Sequence, residues 1–135
     1  MQPGGFLLHP QGATLRQRLV ATMTTLEKQE RALAARYYDQ VKAIPGVTVW
    51  GPDFKGGRRA PTVSITVAGL TPEQVAHRLG ERGVAVWDGH FYAARCIEVL
   101  GLGDKGGVVR SGMSIYTNEE DVQRLVDGVA AVAKG

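Results

Sequence analysis

The chain has one cysteine in 135 residues, 7% aromatics, three histidines and no apolar run near the about 18 residues that a membrane span requires. Each shortage excludes something. Cys96 cannot close an internal disulfide, so the fold must rest on a packed core, and a reducing, cytoplasmic setting is expected. A lone thiol on a helix reads as a small core residue. The start MQPGGFLLHPQGAT puts no basic cluster ahead of a long apolar segment, so neither a secretory leader nor a membrane partner is expected. His9, His77 and His90 lie too far apart in sequence for a metal site, and no metal is expected.

What is present is ordinary for a globular protein: 44% hydrophobic and 21% charged residues, with a mean hydropathy of -0.10. A chain this long buries about two-thirds of the surface it exposes when unfolded, so one core is expected. The net charge of +3 invites a nucleic-acid reading. The positive residues are scattered, however, and only Lys55, Arg58 and Arg59 cluster, in GPDFKGGRRAP, without aromatic interleaving or a binding motif. They read as a solvated loop, and no nucleic-acid partner is expected. Lys55-Gly56-Gly57 and Asp104-Lys105-Gly106-Gly107 lack P-loop spacing and read as turns.

Residues 1–13 hold two prolines, three glycines and no hydrophobic period, which predicts a flexible arm ahead of a single small domain over 14–135. From Thr14, Leu15, Leu19, Val20, Met23, Leu26, Leu33, Ala34, Tyr37 and Val41 recur mostly at helical spacing, and Ile44-Pro45-Gly46 stops the helix near Ala43. Strands are predicted at 47–50 and through PTVSITVAG, where Val63, Ile65 and Val67 alternate with Thr62, Ser64 and Thr66. Thr71-Pro72-Glu73-Gln74 is a capping box with proline at the first helical position, and Gly83 closes that helix. Ala85–Trp87 reads as a strand, 91–100 as a helix and 107–116 as a strand carrying Arg110 and Tyr116 on one side. A second capping box, Thr117 with Glu120, opens the last helix. The order predicts an α/β (α+β) fold: a small three- to four-stranded mixed or antiparallel sheet, helices packed on one face, and a long helix in front.

Arg110 stands between Val109 and Ser111 in a strand of mainly small and apolar residues. Pattern alone leaves two readings open: an ion-paired or edge-exposed arginine, or a bidentate clamp for a carboxylate, which the planar guanidinium suits better than lysine.

The runs APTVSITVAGLTPEQVAHRL, GVAVWDGHFYA and GGVVRSGMSIYTNEEDVQRL, in that order, resemble the carboxyl-terminal small domain of the class V aminotransferases, in particular the cysteine desulfurase-like branch of the fold type I pyridoxal-phosphate enzymes. The resemblance implies that Arg110, with Tyr116, grips a substrate α-carboxylate and that His90 and Tyr92 lie in a loop approaching the active site. It also implies that the Schiff-base lysine, the acid at the pyridine nitrogen and the phosphate cup belong to a large domain upstream. None of Lys28, Lys42, Lys55, Lys105 or Lys134 sits in a corresponding motif. Pyridoxal phosphate is therefore expected in the complete enzyme and no cofactor in this chain, which reads as a truncated, isolated small domain inactive alone. A large domain or a second copy is the implied partner, and an amino acid or small carboxylate the implied ligand. Tyr92 stands where desulfurases carry the nucleophilic loop cysteine, so no catalytic residue is assigned. The alternative is a stand-alone module that reuses the scaffold to bind a small anion or another protein.

Overall fold

The computed structural model describes residues 12–135. Most of the expected amino-terminal arm therefore lies outside the described residues. Helix α1 (Leu15–Lys42) is a single element capped by Thr14, whose Oγ1 accepts the Gln17 N–H while the Gln17 side chain accepts the Thr14 N–H. Only its second half reaches the core, through Leu33, Ala34, Tyr37, Tyr38 and Val41. Leu15, Leu19, Val20 and Met23, on the same apolar period, remain exposed.

Strands β1 (Val47–Trp50), β2 (Thr62–Val67), β3 (Trp87–Gly89) and β4 (Val108–Gly112) form one sheet in the order β1-β2-β4-β3. Every pairing is antiparallel. The period-two alternation of β2 orients Val63, Ile65 and Val67 into the core, where they meet α1, α2 (Pro72–Gly80) and α4 (Glu119–Lys134). Val75 and Leu79 of α2 and Val122, Leu125, Val126, Val129 and Val132 of α4 complete that layer. A smaller cluster, Ile97, Leu102 and Val108 with Trp50 and Phe91, forms where the short helix α3 (Ala94–Val99) and the turn after it cover one end of the other face. Val108 and Val109 belong to different clusters because adjacent strand residues point to opposite faces.

Four local expectations shift. The helix expected over 91–100 is Ala94–Val99, because Phe91 and Tyr92 take left-handed φ values of 52° and 60°, incompatible with a right-handed helix. The strand expected at 85–87 moves to Trp87–Gly89, since Val84 is held back by its N–H bond to the Leu79 carbonyl, part of the closure of α2. Strand β4 ends at Gly112, so Ile115 and Tyr116 fall in a turn and are exposed. The cap of α4 is Asn118, paired reciprocally with Asp121, because Thr117 is taken by the preceding turn: its Oγ1 accepts the Ser114 N–H at 3.0 Å. Asn118→Ala is expected to cost about 1 kcal/mol, measured by urea denaturation; no loss would mean that α4 is capped elsewhere.

The arginine-bearing loop after β1 is held by the protein itself. Arg31 of α1 donates to the carbonyls of Phe54, Gly56 and Gly57. Arg58 forks onto Glu27, with Nε to Oε1 at 3.0 Å and Nη2 to Oε2 at 2.9 Å. That guanidinium holds the Glu27 carboxyl below the usual carboxylate range and is itself pushed up. Arg59 stacks on buried Phe54, 4.1 Å from its ring centroid. Loop charges that look solvated in the sequence thus latch the loop to α1.

Candidate functional site

Arg110 lies on the sheet face opposite the main core. The register places it between Ser64 of β2 and Trp87 of β3, and Ser64 is in turn opposite Trp50 of β1. A row Trp50, Ser64, Arg110, Trp87 therefore crosses all four strands on one face. Arg110 and Trp87 are exposed. Among the described residues Arg110 forms no ion pair, since the four pairs present are Arg36–Glu119, Arg58–Glu27, His77–Glu81 and Arg95–Glu98. Its guanidinium carbon instead sits 3.8 Å from the centroid of the Phe91 ring.

The loop that delivers Phe91 is tightly specified. Gly107, at φ 90°, lets the chain before β4 touch the end of β3: a Cβ there would lie 2.3 Å from the Gly89 carbonyl oxygen. The next residues turn sharply, with the Ala93 N–H bonded to the His90 carbonyl at 2.8 Å. His90 Nδ1 accepts the Tyr92 N–H at 3.0 Å, and the His90 and Tyr92 rings meet edge to face at 6.2 Å. Two successive left-handed residues that are not glycine cost about 1–2 kcal/mol each, which the His90 bond and the packing of Phe91 on Ile97, Leu102 and Val108 help offset.

The residue that meets Arg110 is Phe91, flanked by His90 and Tyr92; the sequence places it beside a strand with those neighbours but gives it no role of its own. Tyr116 is not placed with them. It lies past the end of β4, 83% exposed, and lines a separate cleft of about 390 Å³ with Gly83, Ser111, Gly112, Asp121 and Arg124. The strand expected from 107 to 116 ends at Gly112, so Arg110 and Tyr116 do not share one strand face. Tyr92 is fully exposed. Cys96 is exposed on α3 rather than a core residue, because Ile97 is the side chain that α3 buries. All five lysines are exposed, and Lys42 lies over the Tyr38 ring at 5.7 Å. No group of three or more His, Cys, Asp or Glu side chains converges on a metal site among the described residues. No described helix is long and apolar enough to cross a membrane.

The class V aminotransferase family model matches residues 12–125. The chain belongs to that family. Relatives named "Probable cysteine desulfurase" from Staphylococcus epidermidis and Staphylococcus aureus are each 30% identical over 104 residues, 77% of this chain. The chain spans only 24% of their length. Among solved structures, the apo cysteine desulfurase of Thermococcus onnurineus superposes with a TM-score of 0.77 at 28% identity, over 89% of this chain and 29% of that one. The Escherichia coli cysteine desulfurase CsdA shares the fold, with a TM-score of 0.69 over 80% of this chain and 25% of that one, at 23% identity. This class V aminotransferase chain thus spans about a quarter of the length of the desulfurases it matches.

Proposed function

We propose that residues 14–135 are the carboxyl-terminal small domain of a cysteine desulfurase-like, pyridoxal-phosphate-dependent enzyme of fold type I, and that Arg110 supplies its recognition of the substrate α-carboxylate. The observation that carries this reading is Arg110 itself: an arginine at a fixed register on the open sheet face, without an ion-pair partner among the described residues and backed by an aromatic ring. A guanidinium so placed has its N–H edges available for a planar anion. His90 and Tyr92 shape the loop beside it, while Tyr116 contributes from the neighbouring cleft at most to the rim.

The residues present do not fit the cofactor. A Schiff-base lysine must be held neutral, which burial achieves, and every lysine here is exposed. The lysine and the phosphate cup therefore come from a large domain, and these residues alone do not turn over. The exposed Leu15, Leu19, Val20 and Met23 on α1 support such a partner, since a contiguous apolar stripe is normally covered. The exposed thiol of Cys96 fits a cytoplasmic setting. With Tyr92 at the desulfurase cysteine position, persulfide chemistry is not assigned to this domain.

Titration calorimetry with L-alanine and L-cysteine tests the reading. The chain is expected to bind both amino acids through their carboxylates, and Arg110→Ala to weaken binding at least about tenfold, the usual scale for a lost charge-assisted hydrogen bond. Release of sulfide from L-cysteine by the chain supplied with pyridoxal phosphate would overturn the half-site reading. A second reading, a stand-alone anion- or protein-binding module, draws on the same α1 stripe; concentration-dependent self-association without amino-acid binding would favour it.

A further inference from the structure

We infer that Phe91 is a positioning residue for Arg110: its ring fixes the plane of the guanidinium, so that Arg110 takes a planar carboxylate edge-on and excludes a ligand that stacks face-on from the Phe91 side. The inference rests on the carboxylate reading and deepens it. An arginine on an exposed strand position ordinarily samples many rotamers, because nothing in water selects one. Here the ring lies 3.8 Å from the guanidinium carbon, the distance of direct stacking, so one face of the guanidinium is covered. The edges carrying the N–H donors are not covered by any protein carboxylate among the described residues. A carboxylate arriving in the guanidinium plane meets two parallel donors, whereas an aromatic ligand approaching from the Phe91 side finds that face taken.

The ring can act this way only because the backbone beneath it is held in an otherwise unfavourable shape. Phe91 has φ 52° and Tyr92 φ 60°, and the His90 Nδ1 bond to the Tyr92 N–H spans the two. The ring's other contacts, Ile97, Leu102 and Val108, are apolar and buried, so the loop is anchored from below while Arg110 is stacked against it. Phe91 thus touches Arg110 and acts on substrate only through it.

The arginine Nε–H resonances of the intact chain, together with L-alanine titrations, separate this role from simple loop stability. The Arg110 Nε–H signal, assigned by its loss in Arg110→Lys, is expected upfield of the other arginines from the Phe91 ring current. Phe91→Tyr keeps that shift and the affinity. Phe91→Leu, which retains apolar packing, and Phe91→Asn, which accepts left-handed φ but has no aromatic ring, both lose the shift and weaken L-alanine binding about three- to tenfold. An Arg110 signal at an ordinary arginine position in the unsubstituted chain overturns the inference. So does unchanged affinity in Phe91→Leu when Arg110→Ala abolishes binding, and that result leaves the carboxylate reading standing. Unchanged binding in Arg110→Ala removes the carboxylate reading, and the inference with it.

Discussion

Gly107→Ala is expected to destabilise the fold by about 3–5 kcal/mol, among the largest effects of any single substitution outside the core. Two penalties add. At φ 90° a Cβ is strained by about 1–2 kcal/mol. The added carbon would also sit 2.3 Å from the Gly89 oxygen, 2.5 Å from its carbonyl carbon and 3.1 Å from the His90 nitrogen. All three are backbone atoms, so relief requires β3 to move away from β4 at the Gly89–Val108 pair. Gly101 at φ 68° has open space around it, so Gly101→Ala reports the conformational part alone, about 1 kcal/mol. Urea denaturation of both variants makes the comparison; similar losses would show that β3 and β4 do not approach as closely as described. Because Gly89 leads directly into His90, Gly107→Ala should also blunt carboxylate binding in whatever fraction remains folded.

Tyr37 carries the second large effect, and its sign depends on what replaces it. The side chain is 0% exposed at the centre of the main core, so Tyr37→Ala is expected to cost about 3–5 kcal/mol through lost burial and the cavity left behind. Its hydroxyl is buried with no hydrogen bond of ordinary geometry, as is the hydroxyl of Ser111. Burial pushes the Tyr37 hydroxyl up to about 12, and the nearby Ser111 hydroxyl opposes the shift without cancelling it. Proximity without good alignment reconciles the two observations, so the hydroxyl contributes little, and Tyr37→Phe should be neutral or stabilising by up to about 1 kcal/mol. The pH dependence follows from the same shift. A phenol whose folded pKa is raised leaves the unfolded chain with fewer bound protons once pH exceeds about 10. The contribution is intact below that pH and is lost between about 10 and 12, on the order of 2–3 kcal/mol. Tyr37→Phe should flatten that alkaline decline in thermal unfolding; an unchanged decline would place its cause elsewhere.

Most of the architecture is legible in the sequence, for reasons that are local. The capping box at Thr71 and Gln74 marks α2 because it needs only residues three apart, and the Val63, Ile65, Val67 alternation marks β2 because one face of the sheet is buried. Boundaries slip where two residues can play one part. Thr117 and Asn118 are both good caps, and only the turn at Ser114 assigns the first to a different task. Phe91 and Tyr92 have nothing in their side chains to announce left-handed backbone, so a helix starting there reads naturally and is wrong. The apolar period of α1 is equally clear along its length, yet only half of it finds a core to enter. That mismatch is a tertiary fact, as a period says which face is apolar and not what covers it.

The site was legible to a smaller extent. Arg110 stands out as a charge on an apolar strand, and the sequence resemblance alone implies its role as a carboxylate clamp. Its tie to Phe91 depends on a close approach of two chain segments about 18 residues apart, made possible by Gly107, and no local period encodes it. The strand break at Gly112 likewise separates Tyr116 from Arg110 although their spacing in sequence is even.

A crystal structure of the chain grown with L-alanine tests the central claim most directly. The amino acid's carboxylate is expected in the plane of the Arg110 guanidinium, with two N–O distances of about 2.7–2.9 Å and Phe91 still stacked beneath it. A carboxylate bound instead at Arg124 in the cleft beside Tyr116, with Arg110 left free, would contradict it.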